Sequence, residues 1–393
     1  MKIIYYCQQI WGVGHLFRTR EIIRALSGHR LTLVLGGPAV EVTLPSWVKV
    51  VQLPGIKTDR NYKGLHPVDD GISLEEVKDR RRQQLARLFE DETPDFFIIE
   101  LFPFGRRAFR FELTPILENL RQENIAKCRV FCSLRDILVE KKDADAFEKD
   151  VVGRLNQHFD GLLIHADDKL QDLGETFGRM AEIKIPYIYT GFVAPTPAPG
   201  AGPRMRQKLK ISANEGLIVA SAGGGKMGAK LLPPVVEAFK RLKTKRPYQL
   251  YIFSGPFMPQ KDYLKLVAKA GDGIFVERFT DQFLELMAAA DLSISMAGYN
   301  TCMNILTTRV KALVWPFPGD REQGLRAGKL QALDVLNTLD KSDLEPDRLA
   351  KKISMQLAKR SKSAPVIDLD GAANTRRWLD TYSDKSLAGP KKR

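Results

Sequence analysis

The chain has 393 residues, 44% of them apolar and 27% charged, with a formal net charge of +14. This length exceeds one ordinary core and fits two domains of roughly 150–200 residues, while the composition excludes a disordered or fibrous chain. No apolar run nears the roughly 20 residues of a membrane span, and Met1-Lys2-Ile3-Ile4-Tyr5-Tyr6-Cys7 runs into Gln8 and Gln9 without a cleavage-type signal, so a cytoplasmic protein is expected.

Short apolar, β-branched or aromatic runs alternate with helical patterns, the signature of parallel sheets in α/β layers. In the first half the strands are predicted over residues 2–7, 31–35, 48–53, 96–100, 129–134, 161–165 and 185–190, with helices over 16–26, 74–89, 113–120 and 147–159. Ligands in such sheets bind beyond the carboxyl ends of the strands, and that rule selects the residues worth weighing.

After the first strand come Gly12-Val13-Gly14-His15. The third glycine of a dinucleotide fingerprint would fall at Phe17, and the second strand closes on Gly36-Gly37 with no acidic residue, so NAD binding is not expected. A histidine at a helix N-terminus has its proton affinity lowered by the helix dipole, which suits a neutral base; the plain alternative is a capping or packing histidine. Glu100-Leu101-Phe102-Pro103-Phe104-Gly105-Arg106-Arg107 ends a strand with a carboxylate, an aromatic pair and two arginines. Glu100 can orient a base or accept a substrate hydroxyl, and the arginines can meet a phosphate or cap the strand as a solvated pair. Ser133-Leu134-Arg135-Asp136 holds the analogous place one strand on. Cys128 and Cys132 stand four apart on a predicted strand; with Cys7 and Cys302 they read as buried thiols, with no metal ligands among them.

Residues 191–203 hold four prolines and three glycines, a segment read as an interdomain linker without strand or helix. The expected division is therefore residues 1–190 for one domain, 191–203 for the linker, 204–365 for a second domain and 366–393 for a C-terminal helix and basic tail. Strands are predicted over 217–221, 249–254, 274–277, 292–295 and 312–315, each followed by a helical pattern. Charge separates the halves: residues 1–200 carry 28 Lys+Arg against 28 Asp+Glu, and residues 201–393 carry 33 against 19. One half is suited to hold an anion, or else displays a solvated basic face. Nucleic-acid binding lacks interleaved aromatic and basic motifs and is not expected.

Ser221-Ala222-Gly223-Gly224-Gly225-Lys226-Met227-Gly228 joins a strand to a helix and lets backbone approach a diphosphate, though it is not a Walker A loop because Met227 follows Lys226. Residues 291–327 say the most. A strand ends in the small turn Ala297-Gly298, a helix opens at Tyr299-Asn300-Thr301, and the next strand ends in Trp315-Pro316-Phe317-Pro318-Gly319-Asp320-Arg321-Glu322-Gln323. Backbone N–H groups at such a turn make an anion site.

Together these motifs resemble a GT-B glycosyltransferase of the MurG-like branch, in particular a bacterial subgroup of predicted glycosyltransferases. The resemblance spans both halves and is strongest over 217–327. It implies two doubly wound Rossmann-like domains facing across an interdomain cleft, and an inverting, metal-independent transfer of a sugar from a nucleotide-sugar, a UDP-sugar in this branch, to a hydroxyl acceptor. It further implies Phe279 and Thr280 near the base, Gly224, Gly225, Lys226 and Gly228 with Gly298, Tyr299, Asn300 and Thr301 at the diphosphate, and Glu322 and Gln323 on the sugar. His15 is then the base, Glu100 and Asp136 its catalytic companions, and Gly12, Gly14, Arg106 and Arg107 the acceptor side. The nucleotide-sugar is a co-substrate; no cofactor or metal is implied. The acceptor stays open between a lipid-linked and a polysaccharide hydroxyl, with at most peripheral membrane contact at the inner face. One position departs: the family's ribose-gripping Glu is Asn304 here, which forgoes a charge-assisted pair worth roughly 1–2 kcal/mol. A nucleotide-sugar epimerase or hydrolase, or a non-catalytic nucleotide-sugar-binding protein, remains an alternative.

Overall fold

The computed structural model describes residues 1–10, 14–38, 42–58, 64–122, 128–139, 141, 143–225, 228–360 and 365–384. The chain divides into two compact units, Met1–Val193 with Ile367–Arg393, and Ala194–Val366.

The first unit runs β1 (Lys2–Tyr6), α1 (Gly14–Ala25), β2 (Arg30–Leu35), β3 (Lys49–Gln52), β4 (Ile56–Thr58), β5 (Leu65–Pro67), α2 (Leu74–Glu92), β6 (Phe96–Glu100), α3 (Arg110–Arg121), β7 (Arg129–Arg135), α4 (Ala144–His158), β8 (Gly161–His165) and β9 (Tyr187–Tyr189). Seven strands form one parallel sheet in the order β3-β2-β1-β6-β7-β8-β9. The two short strands β4 and β5, absent from the sequence expectation, form a separate antiparallel pair. The central strands read as continuous apolar runs because helices cover both faces. Ile3, Tyr5, Leu33, Ile98, Phe131 and Leu163 face α1, while Tyr6 and Phe97 meet Phe89 and Phe109 on the other side.

The second unit runs α5 (Ala201–Lys208), β10 (Gly216–Ser221), α6 (Gly228–Lys240), β11 (Tyr248–Phe253), α7 (Gln260–Lys269), β12 (Ile274–Glu277), α8 (Phe283–Ala289), β13 (Leu292–Met296), α9 (Tyr299–Thr308), β14 (Ala312–Trp315), α10 (Arg321–Ala332), β15 (Asn337–Thr338) and α11 (Pro346–Ala358). Its parallel sheet has the order β12-β11-β10-β13-β14-β15. In each unit the strand order reverses beside the first strand, at β1/β6 and at β10/β13, and such switch points are where doubly wound sheets hold ligands.

The segment expected to hold no helix does hold one. Gly200 takes a left-handed conformation (φ +70°) as N-cap of α5, and Pro203 lies in the first turn, where a missing N–H costs nothing. The C-terminal segment is built into the first unit. There α12 (Gly371–Asp384) packs Trp378 and Leu379 against Leu16, Ile23 and Phe131, with the Trp378 and Phe131 rings 5.1 Å apart. Among the described residues no helix is long and apolar enough to cross a membrane, and all four cysteines are free and buried.

Candidate functional site

The first unit gathers its polar side chains at the β1/β6 switch point. Glu100 is the last residue of β6, and His15 is the second residue of α1, the helix after β1. The Nδ1 of His15 stands 2.8 Å from Oε1 of Glu100, and that same oxygen accepts from Arg18, one helical turn beyond His15. The Glu100 side chain is fully shielded, whereas the His15 ring keeps 15% of its surface in solvent. Burial pushes the Glu100 carboxyl up, but the guanidinium of Arg18 and the ring of His15 overcome this and hold it well below the usual carboxylate range. Burial and the positive charge of Arg106 lower the His15 imidazole to about 3, against the pull of Glu100.

An ionised carboxylate can only accept, so His15 carries its proton on Nδ1 and turns a lone pair outward on Nε2. The carboxylate thereby selects the tautomer in which the other ring nitrogen is basic. Its second oxygen, Oε2, is held by Ser133 Oγ at 2.9 Å and by the Tyr5 hydroxyl at 3.2 Å.

Asp136 and Arg106 are buried, and Arg107 is exposed with its guanidinium 3.7 Å from Asp150. Gly14 is the first residue of α1; Gly12 lies outside the described residues. Phe102, Phe104 and Phe109 are core residues. The arginines that organise the site were not foreseen. Arg18 holds Glu100, and Arg81 is wholly buried, with Nε 2.7 Å and Nη2 2.6 Å from the Glu112 carboxylate. Arg81 also donates to the carbonyls of Gly36 and Pro54 at 3.0 and 2.9 Å and to the Gln8 side chain at 3.0 Å, so it ties together the chain segments that leave β1, β2 and β3.

In the second unit the loop after β10 and the turn after β11 interlock at close range. Gly225 (φ +95°) approaches so near that a Cβ there would lie 2.5 Å from the Ser254 carbonyl oxygen, and one at Gly255 (φ +86°) would lie 2.3 Å from that of Gly223. Phe257 N–H donates to the Gly224 carbonyl at 2.9 Å. A Cβ on Gly224, by contrast, meets nothing closer than the Phe257 ring at 3.6 Å. Gly228 is the first residue of α6, and Lys226 lies outside the described residues.

Next to it, Gly298 caps α9 with extended backbone and open space where a side chain would be. The first turn of α9, from Tyr299 through Asn300 and Thr301, carries the N–H groups that no intrahelical carbonyl accepts. Asn304 is half-buried on the same helix. Thr280 accepts from Gln282 N–H at 3.1 Å, and the neighbouring Phe279 ring is exposed. On α10, Asp320 caps the helix and holds the Gln323 amide at 2.8 Å, while Gln323 accepts from Phe317 N–H at 3.2 Å. Glu322 is buried against Arg326 at 2.8 Å, and Arg326 in turn lies over the Tyr299 ring. The residues expected on the donor side thus lie at the carboxyl ends of β10, β12, β13 and β14 of one sheet.

Comparison with known proteins agrees with this layout. Residues 220–373 match the glycosyltransferase family 28 C-terminal domain. An uncharacterized glycosyltransferase of Methanopyrus kandleri is 23% identical over 174 residues, covering 44% of this chain and 47% of that protein. The UDP-N-acetylglucosamine–N-acetylmuramyl-(pentapeptide) pyrophosphoryl-undecaprenol N-acetylglucosamine transferase of Caldanaerobacter subterraneus is 27% identical over 165 residues, covering 40% and 43%. The chain therefore spans less than half the length of the curated relatives it matches. Among solved structures, MurG of Acinetobacter baumannii superposes with a TM-score of 0.57 at 14% identity over 97% of this chain and 100% of that one. The spinosyn rhamnosyltransferase SpnG complexed with thymidine diphosphate gives 0.56 at 15% identity over 98% and 100%. The fold is GT-B.

Proposed function

We propose that this GT-B chain, whose second unit carries a glycosyltransferase family 28 C-terminal domain, transfers a sugar from a nucleotide-sugar to a hydroxyl acceptor with inversion and without a metal ion. The observation that carries the reading is the contact between His15 Nδ1 and Glu100 Oε1 at 2.8 Å, which leaves Nε2 as the only basic atom of the ring. Nε2 takes the acceptor hydroxyl's proton as its oxygen attacks the anomeric carbon; the bond from that carbon to the diphosphate oxygen breaks, and the nucleoside diphosphate leaves. Glu100, held ionised, stabilises the imidazolium that forms. A base of lowered proton affinity is in its neutral form near pH 7, though intrinsically weak.

Leaving-group charge falls to the N–H groups at Gly298 to Thr301 and to the loop from Gly224 to Gly228, with Lys226 as a candidate cation. Phe279 and Thr280 are assigned to the base, and Glu322 and Gln323 to the sugar. Relatives act on a UDP-sugar or are complexed with thymidine diphosphate, which makes a nucleoside diphosphate the expected product class. The undecaprenol-linked substrate in the name of the Caldanaerobacter relative makes a lipid-linked acceptor, reached from the membrane periphery, the first to try.

The test is His15→Ala assayed with a panel of nucleotide-sugars. Turnover lost with nucleoside diphosphate binding retained supports the base; turnover at the parent rate removes His15 from the mechanism. Release of free sugar or an epimer from donor alone, at rates matching transfer, would instead favour a hydrolase or epimerase.

A further inference from the structure

Four adjacent parallel strands each place one polar side chain on the same buried face near their carboxyl ends: Tyr5, Glu100, Ser133 and His165. The register requires it. Tyr5 pairs with Ile98, two residues before Glu100; Glu100 pairs with Ser133; and Ser133 pairs with Leu163, two residues before His165. Ser133 Oγ lies 2.9 Å from Glu100 Oε2, 2.8 Å from the Tyr5 hydroxyl and 2.9 Å from His165 Nε2. His165 Nδ1 is 2.8 Å from Thr190 Oγ1. Ser133, His165 and Thr190 are wholly out of solvent, and the reaction as described above makes no use of them.

A serine hydroxyl has one proton and two lone pairs, and this one has three polar neighbours. Glu100 is ionised, and a hydrogen bond to a charged acceptor is about twice as strong as one between neutral groups, so the Ser133 proton goes to Glu100. The Tyr5 hydroxyl directs its one proton between Ser133 Oγ and Glu100 Oε2, at 2.8 and 3.2 Å, and His165 must then donate to Ser133. His165 then carries its proton on Nε2, and its Nδ1 accepts from the Thr190 hydroxyl at 2.8 Å, closer than that hydroxyl's other acceptors, the Gly191 and Ile164 carbonyls at 3.0 and 3.3 Å. The same reasoning puts the proton of His15 on Nδ1.

We infer that His165 and Ser133 are positioning residues: Ser133 supplies a donor to Glu100, His165 strengthens that donor by donating to the serine oxygen, and through the carboxylate the two set the proton affinity of His15, with the two imidazoles locked in opposite tautomers. The consequence for turnover rests on the reading of His15 as the base; the hydrogen-bond chain itself does not. Charged groups that face His15 are Glu100 on β6, Arg18 on α1, Arg106 after β6 and Arg135 on β7, and those that face His165 are Arg18 and Glu100. Arg106, lowered by burial only to about 10, and Glu100, held low, keep their charge near neutral pH, so a change at His15 on altering Ser133 reports the hydrogen bonding of Glu100. Burial, followed by Arg18, lowers the His165 imidazole to about 3, which keeps it neutral and able to act as a relay with a single proton.

Nitrogen-15 NMR of the full chain labelled at histidine reads both tautomers directly at pH 7. His15 is expected as Nδ1–H and His165 as Nε2–H; His165 protonated on Nδ1 overturns the inference without any variant. Ser133→Ala removes a donor from Glu100, so the carboxylate pulls harder on His15. Its Nδ1–H resonance should move downfield, and the acid limb of kcat/KM should move up by about half a pH unit, close to threefold in proton affinity. His165→Leu should move the limb the same way but less, because a serine hydroxyl that no longer accepts from His165 is a weaker donor to Glu100, while His165→Gln, whose amide can still donate to Ser133, should restore the parent limb; a merely structural role would lower both variants alike without moving it. If Ser133→Ala leaves the His15 resonance and the limb in place while His15→Ala abolishes turnover, the relay fails and the base stands. If Ser133→Ala moves the resonance while His15→Ala keeps turnover, the relay stands and the base fails.

Discussion

Arg81 and Glu112 form an ion pair with both side chains wholly withdrawn from solvent. All five guanidinium N–H groups find acceptors, on Glu112, Gly36, Pro54 and Gln8, and the Tyr6 hydroxyl supplies Glu112 with a further donor. Such a pair is neutral in net worth until one member is removed, after which the survivor is a buried uncompensated charge. Arg81→Met is therefore expected to cost about 3–5 kcal/mol in denaturant unfolding. The double variant Arg81→Met with Glu112→Leu should recover most of it. A double variant no better than the single would mean the cost lies in the backbone ties to Gly36 and Pro54.

Glu100→Gln keeps the size of the side chain and removes its charge. His15 loses both the selection of its tautomer and the partner that stabilises the imidazolium, and turnover should fall by roughly 10²–10⁴. Nucleoside diphosphate affinity, assigned to the other unit, should stay within about twofold by calorimetry, a difference of a few tenths of a kcal/mol. A Glu100→Gln enzyme of parent rate would sink the dyad.

Acid should destabilise the first unit well above the range where carboxylates titrate. His15 and His165 both sit near 3 in the folded chain against 6.5 as model groups, so the unfolded chain binds their protons first. Their contribution is fully present above pH 6.5 and is lost as pH falls from there towards 3, at up to about 1.4 kcal/mol per pH unit for each histidine. Glu100, held low, adds a further loss only below its unfolded value of 4.5. Denaturant titrations between pH 7 and 4 should give a slope that is shallower by about that amount in His165→Gln; an unchanged slope would show that His165 is not kept neutral by burial.

Two neighbouring glycines should behave oppositely. Gly225→Ala combines a positive φ with a backbone clash and should cost at least about 1–3 kcal/mol. Gly224→Ala has room in the fold, so its stability should stay near the parent value. If the loop backbone approaches a diphosphate, the added methyl should still weaken nucleoside diphosphate binding tenfold or more, about 1.4 kcal/mol. Parent-like binding by Gly224→Ala would move the anion away from this loop.

All the parallel strands except the two-residue β15 were legible because burial on both faces writes them as apolar runs bounded by polar turns, and the strand-end rule then found His15 and Glu100 without any structural input. Three features escaped it for physical reasons. The β4–β5 pair has three residues on each side, too few for any period to emerge. Arg18 and Arg81 lie on helices, where a basic residue is by default solvated, and only their buried carboxylate partners reveal them. The strand-end rule picked out Ser133, but its pairing with His165, a polar residue on a strand otherwise buried and apolar, becomes visible only once the register is known. Gly200 and Pro203 show the converse error: residues read as breakers are also the residues that start helices.

The chain leaves the first unit at Val193 and re-enters it beside the same place. Phe192 N–H donates to the Asp368 carbonyl at 2.8 Å, and Gly371 N–H to the Phe192 carbonyl at 3.0 Å. On the ribosome this imposes an order of events. Leu16, Ile23 and Phe131 emerge early, yet Trp378 and Leu379, which cover them, follow only after the whole of Ala194–Val366 has been made. At the usual 5–20 residues per second that is a wait of roughly ten to thirty-five seconds. The unit translated first is completed last, and its apolar flank stays uncovered in the meantime.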